Sequence, residues 1–256
     1  MDVLTQLLSP GLLVFAVAIT FFGGVVKGAV GFAMPLIMIS GMSLLIEPKL
    51  VIAGIILPIV ISNALQAARC GITEVIAALR DYWVYTLIVC VMILISAQLV
   101  SLITSRTMYL VLGVPVTVLC AIQLAGLRVS IPPHRRPLAS VVAGFISGAI
   151  GGLAGTWGPP TVLYLVAIDT PKARQIVVQG VIYGLGSVML LLGHLRSGVF
   201  NSESMWFSVV LLPPALIGMW FGFRIHDRID QQTFRKVTLA VLMIAGLNLI
   251  RRGVMG

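Results

Sequence analysis

The chain has 256 residues, of which 59% are hydrophobic and 10% are charged, and its formal net charge is +9. Together with a mean hydropathy of +1.10, this composition excludes a soluble globular protein and is typical of a polytopic membrane protein. The basic residues lie singly or in pairs between apolar runs, so we interpret them as loop charges that set membrane topology. We expect no nucleic-acid partner, because no continuous basic patch is present.

Eight apolar runs follow one another along the chain, and two of them are over-long. At 1.5 Å per residue the first run would form a helix of roughly 54 Å, far more than the ~30 Å of a bilayer core. It cannot be one straight spanning helix, whereas the other six runs have ordinary lengths. The runs cover residues 11–46, 50–68, 82–103, 107–125, 138–168, 175–195, 204–223 and 233–250.

Both over-long runs contain a glycine-spaced segment that ends in proline, at residues 23–35 and, about 124 residues later, at 148–160. Proline suits the first turn of a helix, where its missing N–H is not needed, so Pro35 and Pro159 predict a half-helix after each break. The start of each half-helix would direct free N–H groups and a positive dipole end into the break. Such paired interruptions are the best sequence indication of a transporter's binding site.

Four-residue glycine spacing also has a structural interpretation. Small residues at this spacing allow helices to pack closely in a membrane. Gly24 and Gly28 in the first run, and Gly144, Gly148 and Gly152 in the fifth, fit this pattern. From these glycines alone, packing and a cavity remain alternatives, and the repeated proline favours the cavity.

The repeat extends beyond the breaks, since Pro48-Lys49 recurs as Pro171-Lys172 and Trp83 recurs as Trp206. We therefore predict an all-α polytopic membrane protein of two repeats with four apolar runs each. The first repeat covers residues 1–126, a polar proline-rich connecting loop covers 127–137, and the second repeat covers 138–256.

The loop charges favour inverted rather than parallel repeats. If each over-long run crosses the membrane and returns, eleven basic residues share one side and five the other, as the positive-inside rule expects. This model gives the two halves opposite orientations. The larger group is Arg69, Arg80, Arg128, Arg135, Arg136, Lys172, Arg174, Arg224, Arg228, Arg235 and Lys236; the smaller is Lys49, Arg106, Arg196, Arg251 and Arg252.

Lys27 is the one ionisable side chain well inside an apolar run. A cation at membrane depth costs at least ~2.5–3.5 kcal/mol, so we interpret Lys27 as a site residue that neutralises a bound anion or releases a proton as the anion arrives. The alternative is that its ammonium group reaches a nearby membrane surface. All acidic residues lie at or outside the ends of the runs, which disfavours a cation as substrate.

Polar residues inside the runs are predicted to form hydrogen bonds between helices. Thr156 and Trp157 are exceptions, because in the second break their hydroxyl and indole N–H would face an oxyanion. His194 is predicted at the membrane interface. The complete set of predicted substrate-binding residues is Lys27, Gly28, Gly31, Pro35, Gly152, Gly155, Thr156, Trp157 and Pro159.

No enzyme is predicted, because Walker A, GxSxG and HExxH motifs are absent. Cys70, Cys90 and Cys120 lack metal-ligand or disulfide spacing, so no metal, no cofactor and no catalytic residue is predicted. No Lys or Arg precedes Lys27, which is unlike a cleaved signal peptide, so we expect the first run to be retained.

At the two breaks the sequence resembles the TauE/SafE family of membrane permeases, which are tandem duplications with a glycine-rich segment running into proline in each half. The resemblance implies export or uptake of sulfite or organosulfonates across a bacterial inner membrane. The first copy departs from the dense glycine cluster at Lys27, Ala29 and Ala33. The matching residues are Gly24, Gly28, Gly31 and Pro35 in the first copy and Gly148, Gly152, Gly155 and Pro159 in the second.

The sequence therefore predicts a secondary transporter that moves small anions by alternating access, with N–H groups at the breaks and Lys27 binding the anion. A passive anion channel and a receptor or assembly subunit without transport are the alternatives. The lipid bilayer and a small anion are the expected partners, and the oligomeric state is left open, with a homodimer as one possibility.

Overall fold

A computed structural model describes residues 8–69, 71–126, 130–225 and 231–255. Helices make up 84% of the structure, and the described chain contains no strand, which confirms the all-α fold. Cys70 and part of the predicted connecting loop, residues 127–129, lie outside the described residues.

Eleven α-helices occur in the described chain, and a short 3₁₀ helix, Pro133–Arg135, precedes the seventh. Most helices begin beside proline, serine or threonine, residues that favour helix starts. They are α1 (Pro10–Val30), α2 (Met34–Met42), α3 (Pro48–Ala68), α4 (Ile72–Asp81), α5 (Trp83–Leu99), α6 (Ser105–Leu124), α7 (Arg136–Ala154), α8 (Gly158–Ala167), α9 (Lys172–Arg196), α10 (Ser204–Ile225) and α11 (Gln231–Met255).

Six helices of the described chain are long and apolar enough to cross a membrane. They are α1, α3, α6, α7, α9 and α10. A seventh candidate span is α4 with α5, which are bent by 86° at their junction. Helix α4 lies between two predicted runs; Arg174 of α9 joins it through salt bridges to Glu74 (2.8 Å) and Asp81 (2.7 Å).

Both over-long runs are broken where the glycine and proline pattern predicts. Helix α1 ends at Gly31, whose φ of 83° lies in the left-handed region that glycine adopts readily, and α2 then begins at Met34. The second break has the same design, with Gly155 at φ 61° ending α7 before α8 begins at Gly158. Pro35 and Pro159 stand in the first turns of α2 and α8.

The four-spaced glycines lie where helices cross. An added Cβ at Gly28 of α1 would lie 2.8 Å from the Cα of Gly222 in α10. In α7, an added Cβ at Gly148 would lie 2.7 Å from the Val89 carbonyl oxygen of α5. Close packing is therefore observed for these glycines, and it pairs the first helix of each half with a helix of the other half.

Helices α3 and α9 are counterparts in the predicted repeat, and they run antiparallel. Lys49 at the start of α3 shares a surface cleft with Ser197 at the end of α9. Arg69 at the end of α3 shares another cavity with Ile176 near the start of α9. Inverted halves require this antiparallel course, and the inverted repeat itself stays a prediction.

We call the two membrane faces the Lys49 face and the Arg69 face. Arg252 donates to the Ser43 and Leu44 carbonyls, which places the end of α11 on the Lys49 face. The helix ends group the described basic residues into the two sets of the charge pattern, and the side of the membrane that each set faces stays a prediction. Arg128, Arg228 and the side chains of Lys172 and Arg235 lie outside the description. Those on the Arg69 face are Arg69, Arg80, Arg135, Arg136, Arg174, Arg224 and Lys236, and those on the Lys49 face are Lys49, Arg106, Arg196, Arg251 and Arg252.

One proline inside a membrane span has its lost hydrogen bond replaced by a side chain. Pro58 of α3 has no N–H to donate to the Gly54 carbonyl one turn earlier. The Ser208 hydroxyl of α10 donates to that carbonyl instead (2.9 Å) and accepts from the Leu57 N–H (3.0 Å). This exchange satisfies backbone groups that hydrocarbon would not solvate, and it ties α10 to α3.

Candidate anion site

The two breaks meet at a small cavity of about 30 Å³, which we call the central cavity. This space accommodates roughly two waters. Its wall combines both breaks with side chains of α1, α3 and α9. The lining residues are Lys27, Phe32, Ala33, Pro35, Leu36, Ile59, Asn63, Gly155, Thr156, Trp157, Gly158, Pro159 and Tyr183.

Lys27 is the one charged residue that lines the central cavity, and only 3% of it is exposed. Its ammonium group donates to the Asn63 side-chain oxygen. The Asn63 amide nitrogen donates in turn to the Tyr183 carbonyl (3.1 Å), and the Tyr183 hydroxyl donates to the Gly158 carbonyl (3.2 Å). This chain of hydrogen bonds connects Lys27 in the first half to the second break.

The partner of Lys27 is a neutral amide, so the positive charge is held without a carboxylate in the described structure. The acidic residues that the structure describes, Glu47, Glu74, Asp81, Asp169 and Glu203, are all exposed. A buried cation without a counterion is costly, and a bound anion would offset that cost. The electrostatics of the central cavity therefore favour an anion.

The predicted N–H donors are only partly free. Gly31 donates to the Lys27 carbonyl and Gly155 to the Gly151 carbonyl, each at 2.7 Å, because both glycines end a helix in the left-handed conformation. Gly28 lies inside α1, where its N–H belongs to the helix. The N–H groups of Thr156 and Trp157 have no acceptor among the described residues, so the second break offers both as donors.

Trp157 fills space that two glycines provide. An added Cβ at Gly151 of α7 would lie 3.1 Å from the indole, and one at Gly186 of α9 would lie 3.0 Å from it. The indole N–H is buried and has no hydrogen-bond partner in the described structure. A buried donor without an acceptor is costly, so an acceptor bound at the indole N–H would offset that cost.

A buried hydroxyl network supports the start of α8. The Tyr85 hydroxyl contacts the Ser147 and Thr161 hydroxyls at 2.7 and 2.9 Å, and the Thr161 hydroxyl donates to the Trp157 carbonyl at 2.7 Å. Helices α5, α7 and α8 are thereby joined beside the second break. The network holds in place the segment that carries Thr156 and Trp157.

The family model for the sulfite exporter TauE/SafE family matches residues 16–249, nearly the whole chain. The chain belongs to the TauE/SafE family. The match spans both breaks and all eleven helices in whole or part, so it confirms the resemblance found at the glycine and proline residues. No curated protein and no solved structure matches the chain.

In this TauE/SafE protein, the structure brings six of the nine predicted site residues to the central cavity. Gly28 and Gly31 instead line a neighbouring, larger cavity. Gly152 packs against Ser96 of α5 and lines neither space. The six at the central cavity are Lys27, Pro35, Gly155, Thr156, Trp157 and Pro159.

Two polar residues of the TauE/SafE chain line the central cavity without being predicted site residues, Asn63 and Tyr183. Both stand out as polar groups inside apolar runs, and a helix-to-helix hydrogen bond is predicted for each; the structure shows those bonds. Only the fold reveals that they also border the site. His194 is completely buried by neighbouring helices near the end of α9, and its position at the membrane interface stays a prediction.

We expect Asn63→Ala to destabilise this TauE/SafE protein by about 1–3 kcal/mol, since it leaves the Lys27 ammonium group buried without its acceptor. Lys27→Met removes the charge that needs the acceptor. In a double-mutant cycle by chemical unfolding in detergent, Asn63→Ala should therefore cost much less in the Lys27→Met background. Effects that add to within ~0.5 kcal/mol would contradict a direct interaction.

Proposed function

We propose that this protein is a secondary transporter that moves small anions, sulfite or organosulfonates, across the bacterial inner membrane. The observation that carries the proposal is the buried Lys27 at the cavity where the two broken segments meet. Membership of the sulfite exporter TauE/SafE family supports the substrate class.

In the proposed mechanism the anion takes the place of Asn63 as the partner of Lys27. The free N–H groups of Thr156 and Trp157 and the unpaired indole N–H bind its oxygens from the opposite side. A tetrahedral or pyramidal oxyanion presents acceptors in several directions, which suits donors contributed by two halves of the protein. A cation would meet the same charge without a carboxylate to offset it.

Alternating access is supported by the paths of the helix pairs α1–α2 and α7–α8. The first pair starts and ends toward the Lys49 face, and the second toward the Arg69 face, so their breaks meet between the faces. Movement of one pair against the rest would open the central cavity to one face at a time. The positive-inside rule assigns the Arg69 face to the cytoplasm.

The test is counterflow of radiolabelled sulfite under anaerobic conditions in proteoliposomes of the purified protein. Taurine, sulfoacetate, sulfate and chloride serve as competitors. A transporter is expected to exchange label against internal substrate and to be inhibited selectively by the sulfur anions that it carries. A passive channel would let label equilibrate without counterflow and with little selectivity. Absence of flux for every anion would favour a receptor or assembly subunit.

Topology provides a separate prediction. Ser130→Cys and Ser202→Cys, each made in a background without the native cysteines, should react with a membrane-impermeant thiol reagent from opposite sides. Ile131, beside Ser130, donates to the Ala167 carbonyl on the Arg69 face, whereas Asn201, beside Ser202, lines the cleft of the Lys49 face. Labelling of both from the same side would exclude the inverted repeat.

A further inference from the structure

A second cavity of about 590 Å³ lies next to the central cavity, toward the Arg69 face. We call it the vestibule. The polar groups that the described residues place in its wall are the cations Lys27 and Arg69 and the amides Gln66 and Gln179, and none of these described lining residues is a carboxylate. The remaining wall is glycine and apolar side chains from α1, α9 and α10.

Lys27 lines both spaces, which makes it the boundary between the vestibule and the central cavity. Its ammonium group is held on the central side by Asn63. An anion that moves inward from the Arg69 face therefore reaches Lys27 from the vestibule before it reaches the donors of the second break.

Arg69 stands in the vestibule wall at the end of α3, six residues after Asn63 and nearer to the Arg69 face. Its guanidinium group lies over the Phe223 ring of α10, with 3.8 Å between its Cζ and the ring centroid. Stacking fixes the position of the guanidinium group while leaving its N–H donors at the edge of the plane unobstructed. Among the described residues on this face, salt bridges are formed by Arg174, and no described carboxylate forms one with Arg69.

We propose that the vestibule is a capture site for the transported oxyanion, with Arg69 as its first binding group and Lys27 as the second. This inference rests on the proposed function and adds to it a residue and a route. The anion binds at Arg69 with Gln179 beside it, then displaces Asn63 from Lys27 and enters the central cavity. Two cations in sequence lower the electrostatic barrier of a path through low-dielectric surroundings.

The test measures the charge selectivity of the vestibule without requiring transport. Ile176→Cys, in a background of Cys70→Ser, Cys90→Ser and Cys120→Ser, places one thiol in the vestibule wall. Its labelling rates with an anionic sulfonatoethyl and a cationic trimethylammonioethyl methanethiosulfonate are compared in detergent. Preference for the anionic reagent, relative to a free thiol in solution, is expected. Arg69→Gln should reduce that preference by about fourfold, as for one unit charge about 10 Å away in water.

Matched variants separate the alternatives. Arg80→Gln removes the same charge from α4 on the same face but outside the vestibule, and it should leave the preference unchanged. Arg69→Lys should retain it, whereas Phe223→Leu, which removes only the stacked ring, should weaken it less than Arg69→Gln. An unchanged preference in Arg69→Gln, or an equal fall in Arg80→Gln, would overturn the proposal.

Two sources of an anionic group are distinguished by adding either sulfoacetate or phosphatidylglycerol micelles. Protection of the thiol by millimolar sulfoacetate, lost in Arg69→Gln, supports capture of the substrate. Protection by the lipid alone would assign the vestibule to a lipid headgroup and overturn the proposal. Because labelling does not depend on flux, a failed counterflow experiment with intact charge selectivity would contradict the transport function, not the anion site.

Discussion

Sulfite counterflow should fall by at least about 30-fold when Lys27 is replaced by glutamine. The variant keeps a polar side chain of similar length but removes the one charge that lines the central cavity. Truncating one partner of a buried, hydrogen-bonded charge pair typically costs ~2–5 kcal/mol, and 2 kcal/mol corresponds to about 30-fold in binding. The measurement is initial exchange rate against sulfite concentration in proteoliposomes with matched protein content.

Lys49→Gln is the matched control for this experiment. Lys49 is near the start of α3, and its ammonium group donates to the Ser101 carbonyl (3.3 Å) at the membrane face. The control removes the same charge from the same protein and should leave exchange within about twofold. Full exchange in Lys27→Gln would show that the backbone and indole donors of the second break suffice, and that Lys27 has a structural role.

The second large effect concerns the crossing of α1 and α10. Gly28→Ala should lower the melting temperature in detergent by several degrees, because the added methyl group would lie 2.8 Å from both the Gly222 Cα and the Phe223 backbone nitrogen. Backbone atoms cannot rotate away as a side chain can, so the helices must separate. Overpacking of this kind costs roughly 1–3 kcal/mol or more.

Gly11→Ala in the same helix provides the control, since nothing lies within 4 Å of a Cβ at Gly11. This substitution should be neutral or stabilise the protein slightly, as alanine favours helix over glycine by up to about 1 kcal/mol. A comparable fall in melting temperature for both variants would attribute the effect to α1 itself and exclude the crossing as its cause.

How far the sequence determines this protein is clearest at the breaks. Glycine and proline have backbone requirements that hold in any context, so Gly31, Pro35, Gly155 and Pro159 predict the helix ends and starts that the structure contains. Lys27 is equally visible, because a charge inside an apolar run is costly in hydrocarbon and therefore stands out. These features are local and need no knowledge of neighbouring helices.

The roles of the four-spaced glycines were not decidable from the sequence. Gly28 and Gly152 both belong to a four-residue glycine spacing near a break. Gly28 packs against α10 and lines the vestibule, whereas Gly152 packs against α5 away from both cavities. Which face of a helix meets a partner depends on how the helices cross. The same holds for His194. Its position near a helix end indicates the membrane interface, and only the structure shows that neighbouring helices bury its side chain.

By itself the sequence determined a polytopic membrane protein, where its helices break, and a single buried cation, because apolar run length, proline and glycine stereochemistry and the cost of a charge in hydrocarbon act locally. Tertiary structure alone decided that Asn63 accepts from Lys27 and that Tyr183 links Asn63 to Gly158. It also decided that the N–H groups of Gly31 and Gly155 donate to carbonyls of the helices that these glycines end. Those partners lie up to 120 residues apart in the chain. Only the packing of α1, α3 and α9 brings such distant groups within hydrogen-bond distance.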